Sequence, residues 1–241
     1  MGNAGSPKGE CALEPGLLSV ILPVYNERAT VMEVITRVLA SPVRKEVIVV
    51  DDSSTDGTTE FLMQEVEGKF AEVQVIYQQT NAGKGSAIRA AIPHLRGEFC
   101  IVQDGDLEYD PNDFPALLGP MAQEGVTVVY GSRFLKSRPS MRLPNRVVNW
   151  LLARMVRLLY GAPITDEATC YKAFRTDLLK SIPLQCQRFE FCPEVTAKVL
   201  RKGHRIVEVP IHYEARSMAE GKKIRWTDGV EAIWTLIRYR F

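Results

Sequence analysis

The sequence predicts an α/β fold: a mostly parallel central sheet with helices on both faces. Two patterns predict it. Short runs of continuous apolar, largely β-branched residues recur through the first half of the chain, and each is followed by a stretch of helical period instead of a hairpin turn. Strands that are apolar on both faces need cover above and below, which helical crossovers between parallel strands supply. With 241 residues, 46% hydrophobic and 24% charged, the chain is long enough for one such sheet and its layers.

The elements follow in order. Residues 1–16 contain Gly, Pro and Ser without an apolar run, and read as a disordered leader and not a signal peptide. Strands are expected over 17–24, 46–50, 73–77, 99–103 and 127–130, alternating with helices over 29–40, 58–67, 84–95 and 112–124. After about residue 131 the rhythm changes: a helix over 145–160, a strand over 171–174, a helix over 194–202, a strand over 206–209 and a last helix over 227–239. No repeat or low-complexity linker interrupts 17–241, so its two parts, 17–131 and 132–241, are expected to pack as one domain.

Bulk properties exclude several classes. The formal net charge of +1 gives no polycationic signature for nucleic acid. Five cysteines without a CxxC pair, and three histidines without ligand spacing, argue against a disulfide framework or a zinc site. No stretch is long and apolar enough for a membrane span. A cytoplasmic protein that meets a membrane only at its surface is expected.

In open α/β sheets, ligands bind beyond the carboxyl ends of the strands, and three polar loops fall there. Asp51-Asp52-Ser53-Ser54-Thr55-Asp56-Gly57-Thr58 follows the second strand; Asp56 is placed to cap the next helix, and Asp51 to accept a base N–H or ribose hydroxyls or simply to hold the turn. Asn81-Ala82-Gly83-Lys84-Gly85-Ser86 follows the third strand and opens a helix. It is either an anion contact or a glycine-rich turn with a solvated lysine. It matches neither the Walker A pattern nor GxGxxG, which disfavours an ATPase and a dinucleotide oxidoreductase. Gln103-Asp104-Gly105-Asp106-Leu107-Glu108 follows the fourth strand. Residues two apart in extended chain face the same way, so Asp104, Asp106 and Glu108 are expected to converge as hard oxygen donors for Mg²⁺ or Mn²⁺, unless they form a solvated acidic turn.

Together with Pro23-Val24-Tyr25-Asn26-Glu27 after the first strand, these loops resemble family 2 glycosyltransferases of the GT-A fold. The second half resembles the dolichyl-phosphate mannose and glucose synthase branch, through Gly131-Ser132-Arg133-Phe134, Asp166-Glu167-Ala168-Thr169-Cys170-Tyr171-Lys172, Phe189-Glu190-Phe191-Cys192-Pro193-Glu194, and Arg216-Ser217 through Lys222-Lys223-Ile224. The resemblance runs from Leu18 to Phe241. It implies inverting transfer of a hexose from a GDP-mannose- or UDP-glucose-type donor to a polyprenyl phosphate, with residues 17–131 binding the donor and 132–241 the acceptor. It also implies roles: Pro23, Tyr25, Glu27, Asp51, Lys84, Arg216 and Lys222 on the donor; Asp104, Asp106 and Glu108 on the metal and diphosphate; Arg133 as a catalytic contact to the acceptor phosphate, joined by Arg146.

The chemistry is consistent with that reading. A phosphate acceptor is largely dianionic near neutral pH and needs no general base, only a positioned cation. The expected helix at 145–160 sets Val147, Val148, Leu151, Leu152, Met155, Val156, Leu158 and Leu159 on one arc and Arg146, Trp150, Arg154 and Arg157 on the other. That basic face with its tryptophan suits anionic head groups, or is the solvated face of a core-packed helix. Two other functions stay open: transfer to a saccharide hydroxyl, with Asp166 as base, and a non-catalytic nucleotide-sugar-binding module.

Overall fold

The computed structural model describes residues 13–136, 141, 143–215 and 226–241. At its centre lies β1 (Glu14–Val24), whose Leu18, Val20, Ile21 and Leu22 are fully buried, so both of its faces are covered. On one side it pairs in parallel with β2 (Lys45–Asp51), which pairs with β3 (Val73–Tyr77); on the other it pairs in parallel with β4 (Gly97–Val102). Next come β6 (Lys172–Arg175), β5 (Val128–Ser132) and β7 (Ile206–Pro210), giving the order β3-β2-β1-β4-β6-β5-β7. The sheet is mostly parallel as expected, but β6 runs antiparallel to β4 and β5.

This insertion matters for the site. Val24, Asp51 and Tyr77 lie in register at the carboxyl edge of β1, β2 and β3. Because β6 runs the opposite way, it starts at that same edge, with Lys172 opposite Tyr130 of β5. The segment from Asp166 to Tyr171 therefore arrives beside the loops that leave the parallel strands.

Helices α1 (Val31–Ala40), α2 (Thr58–Glu65) and α3 (Lys84–Ala91) follow the first three strands, and α1 buries Val31, Val34, Ile35 and Val38 at helical spacing. The helix expected over 112–124 is broken into a 3₁₀ turn at Pro111–Asp113, α4 (Phe114–Leu118) and a second 3₁₀ turn at Gly119–Ala122. Pro115 fits a helix start, but Pro120 brings no N–H to continue the ladder. Two boundaries also move. β1 begins at Glu14, inside the expected leader, because the Glu14 N–H donates to the Arg96 carbonyl and the Gly16 N–H to Glu98 Oε2. The helix expected from 194 begins earlier as α7 (Phe191–Arg201), which takes Pro193 in its first turn, where a missing N–H costs nothing.

The remaining helices are α5 (Leu143–Tyr160), the short α6 (Thr176–Lys180), and α8 (Trp226–Arg238). α5, α7 and α8 pack around a second apolar cluster containing Leu152, Val156, Ala197, Ala232 and Leu236, beside the main core of the sheet. Among the described residues no helix is long and apolar enough to cross a membrane.

Candidate active site

A cleft of about 820 Å³ opens at the carboxyl edge of the sheet. The loop after β1 contributes Pro23, Tyr25 and Glu27 to its lining. Asn26 has a left-handed backbone (φ 52°), and its Oδ1 accepts the Thr55 N–H at 2.8 Å while its own N–H donates to Ser54 Oγ. Thr30 Oγ1 donates to the Gly105 carbonyl at 2.8 Å. The loops after β1, β2 and β4 are thus tied into one frame. Gly105 sits close against the loop after β1: a Cβ would stand 3.3 Å from Glu27 Cγ, which a small shift of that side chain relieves, and 3.4 Å from the Pro23 carbonyl oxygen, an ordinary contact.

Asp51 does not face the cleft. It is wholly buried, and its carboxylate accepts hydrogen bonds from Ser54 Oγ at 2.5 Å and Thr59 Oγ1 at 2.6 Å. The carboxylate that lines the cleft is the neighbouring Asp52, which accepts the N–H groups of Ala82 and Gly83 at 2.9 and 2.7 Å. Successive side chains at a strand end point opposite ways, so only one of the pair can face the ligand space. Asp52 ties the loop after β3 to the end of β2.

That loop opens α3 at Lys84 as expected, but N–H groups of its first turn are already engaged. The Gly85 and Ser86 N–H groups donate to the carbonyls of Arg188 and Gln187, both at 2.9 Å. Gly83 (φ 93°) lies so close to this segment that a Cβ would sit 2.6 Å from the Gln187 oxygen. What reaches the cleft is the Lys84 side chain, which forms an ion pair with Asp104 Oδ1. Burial works against the ammonium, but Asp104 beside it raises its pKa well above the ordinary value. Lys84 is therefore a charged group held against the acidic loop.

Within that loop, Asp104, Asp106 and Glu108 all line the cleft. Asp106 Oδ1 accepts the Glu108 N–H at 3.0 Å, and Glu108 Oε2 accepts the Tyr213 hydroxyl at 2.9 Å. Among the described residues no three His, Cys, Asp or Glu side chains are gathered as a metal-binding group, so the three acids do not form the converging triad expected of them: Glu108 is turned to Tyr213. The donor chemistry still fits a hard divalent ion. Mg²⁺ is commonly held by one or two carboxylates, with substrate phosphates and water completing the shell, and Asp104 and Asp106 supply such a pair.

Arg133 lines the cleft yet is buried. Its Nε and Nη2 donate to Asp166 Oδ2 and Oδ1, both at 2.7 Å, and its backbone N–H donates to Oδ2 at 3.0 Å. The guanidinium lies 4.9 Å from the centre of the Tyr213 ring. The bidentate fork expected for a phosphate is thus taken by Asp166, whose own N–H donates to Glu208 Oε1. Tyr109 completes the frame: its hydroxyl accepts the Cys170 N–H, and its ring packs 4.7 Å from Tyr171. Neither Asp52 nor Tyr109 stood out in the sequence; for Asp52 the signal was the doubled aspartate itself.

Arg146 does not line the cleft that Arg133 lines. It lines a separate groove of about 330 Å³ between α5 and residues 163–165. Arg216 and Lys222, expected over the donor, lie outside the described residues.

Comparison with known proteins agrees with this architecture. The family model for "Glycosyl transferase family 2" matches residues 19–182, more than half of the chain. A dodecaprenyl-phosphate galacturonate synthase from Rhizobium johnstonii is 28% identical over 85% of this chain and 61% of its own length. Glycosyltransferase AglJ from Haloferax volcanii is 32% identical over 84% of this chain and 64% of its own. The chain thus spans less than two thirds of the length of these curated relatives. Among solved structures, glucosyl-3-phosphoglycerate synthase from Mycobacterium tuberculosis, in complex with Mn²⁺, UDP and phosphoglyceric acid, superposes with a TM-score of 0.70 at 22% identity over 92% of this chain and 78% of that one. Mannosyl-3-phosphoglycerate synthase from Rubrobacter xylanophilus does so with a TM-score of 0.71 at 20% identity over 92% and 72%. These two likenesses show the GT-A-type fold.

Proposed function

The chain belongs to glycosyl transferase family 2, and from that premise we propose that it transfers a hexose, with inversion, from a nucleotide-diphosphate sugar of the GDP-mannose or UDP-glucose type to a polyprenyl phosphate at a membrane surface. The observation that carries this reading is a group in the cleft lining: Asp104 and Asp106 from one loop, with the Lys84 ammonium paired to Asp104. Two acids and one cation suit a diphosphate bound with Mg²⁺ or Mn²⁺, whose contribution is to neutralise the charge that builds on the leaving group. Asp104 and Asp106 would hold that ion. Lys84, which pairs with Asp104 in the cleft, would contact the diphosphate oxygens. Pro23, Tyr25, Glu27 and Asp52 line the donor side.

The acceptor class is supported by how the candidate base Asp166 and the cation Arg133 are engaged. A saccharide hydroxyl needs a general base, and Asp166 already accepts three hydrogen bonds from Arg133 in a fully buried position. A phosphate needs a positioned cation instead. Arg133, aimed by Asp166, supplies it at the cleft wall. The relative named as a dodecaprenyl-phosphate galacturonate synthase supports an acceptor of this class.

A screen of UDP- and GDP-sugars with a short-chain polyprenyl phosphate in detergent, with Mn²⁺ present, tests the proposal. Transfer is expected from one donor class, and Asp104→Ala or Asp106→Ala should abolish it while leaving the unfolding midpoint in place. Undiminished transfer in both variants would overturn the assignment.

A further inference from the structure

The groove that holds Arg146 is a site in its own right. Arg146, Arg154 and Arg157 line it together with Trp150, Phe134 and Ile164. The Arg154 guanidinium lies 5.8 Å from the centre of the Trp150 ring. No carboxylate among the described residues forms an ion pair with any of the three arginines. The sequence explains why: residues 125–165 contain no Asp or Glu and seven Lys or Arg, in a chain whose net charge is +1. The positive charge is concentrated here, and the remainder of the chain is net acidic.

An apolar ridge runs beside the groove. At about 100° per residue, Arg146, Trp150 and Arg157 share an arc of about 40° on α5, and Val147, Leu151 and Leu158 take an adjoining arc of similar width. These three apolar side chains are exposed, Leu158 by 84%. α5 buries the opposite side, through Asn149, Leu152, Ala153 and Val156. α8 repeats the arrangement: Val230, Trp234 and Ile237, at helical spacing, are exposed while Ala232 and Leu236 pack inward. Two neighbouring helices thus both turn apolar side chains to the outside. Their inner sides reach the active-site cleft, which Val148, Leu152, Asp228 and Ala232 help to line.

We propose that the α5–α8 face docks on an anionic bilayer, with the arginine groove taking the phosphate of an acidic phospholipid and the two ridges entering the boundary between head groups and acyl chains. Charge complementarity selects this occupant: guanidiniums with no carboxylate partner among the described residues, beside exposed Trp and aliphatic side chains, match a surface that is negative at the head groups and apolar just beneath. A soluble protein partner would have to supply acids to the groove and apolar cover to the ridges together. In the docked orientation the cleft mouth lies next to the lipid. The inference shares with the proposed function only the expectation of a nearby membrane, and its test uses no sugar donor.

The test is co-sedimentation of the full chain with vesicles of phosphatidylcholine alone and of phosphatidylcholine with phosphatidylglycerol. Binding is expected to the acidic vesicles, to weaken with salt, and to fall about tenfold or more in the Arg154→Gln/Arg157→Gln double variant, taking about fivefold per cation near a charged surface. Trp234→Ser should weaken binding by removing the aromatic anchor. All three side chains are exposed, so an unchanged unfolding midpoint is expected and controls for misfolding. Equal binding to both kinds of vesicle, an unaffected double variant, or a dimer in solution that Trp234→Ser dissociates would overturn the proposal. Transfer in detergent by the double variant at the wild-type rate separates this outcome from failure of the proposed function.

Discussion

Asp166→Asn separates the carboxylates that build the cleft from those that work in it. Asp166 is 0% exposed, and its partner Arg133 is 7% exposed. The three hydrogen bonds between them are 2.7, 2.7 and 3.0 Å long. Asparagine keeps the shape but loses the charge, and it turns an NH₂ donor toward donors of Arg133. Removing one partner of a buried ion pair costs about 3–5 kcal/mol, because the other charge stays buried. That is a large share of a typical stability of about 5–15 kcal/mol. For a chain of this length each kcal/mol corresponds to about 2–4 °C, so the Tm should drop by about 6–20 °C. Asp104→Asn is the contrasting variant. The side chains of Asp104 and Lys84 are each 20% exposed and open on the cleft, and the loss of one of two neighbouring acids also relieves repulsion. Its stability should fall by clearly less than that of Asp166→Asn, while metal-dependent nucleotide binding disappears. Thermal unfolding followed by circular dichroism reads both variants. A wild-type Tm for Asp166→Asn, or an equal loss for Asp104→Asn, would refute the reasoning.

Two further outcomes follow from particular contacts. Lys84→Met removes the cation that pairs with Asp104; Mn²⁺ affinity without nucleotide, read by electron paramagnetic resonance, should rise about tenfold, whereas affinity for nucleoside diphosphate should fall. Burial alone would raise the Glu46 pKa, but the Ser19 hydroxyl and the Arg96 N–H and guanidinium hold it below the ordinary 4.5. A depressed folded-state pKa stabilises above the unfolded value and loses that stability as pH falls through the folded one. Urea midpoints should therefore drop on acidification below about pH 4.5, and less steeply in Glu46→Gln; parallel curves would count against this.

Much of this was legible in the residues. The β-branched runs marked the parallel strands because strands covered on both faces leave no room for polar alternation, and the loops after them carried Pro23, Tyr25, Glu27, Lys84, Asp104 and Asp106 into the cleft. What escaped depends on distant partners. β6 enters between β4 and β5 from far along the chain, and no local pattern reports a strand's neighbours. A doubled aspartate does not say which member faces inward, and here Ser54 and Thr59 claim Asp51. The motif around Arg133 draws attention to it without revealing that Asp166, 33 residues on, holds its fork. On α5 the helical period separated the apolar from the basic arc, but only packing shows that Leu152 and Val156 are covered while Val147, Leu151 and Leu158 stay outside.

The most direct test is calorimetric titration of the protein with UDP and GDP, with and without Mn²⁺, in wild type and Asp106→Ala. One of the two nucleotides should bind at least about tenfold more tightly with Mn²⁺ than without, a gain of about 1.4 kcal/mol, and Asp106→Ala should erase that difference. Equal affinity with and without the metal in the wild type would contradict the account.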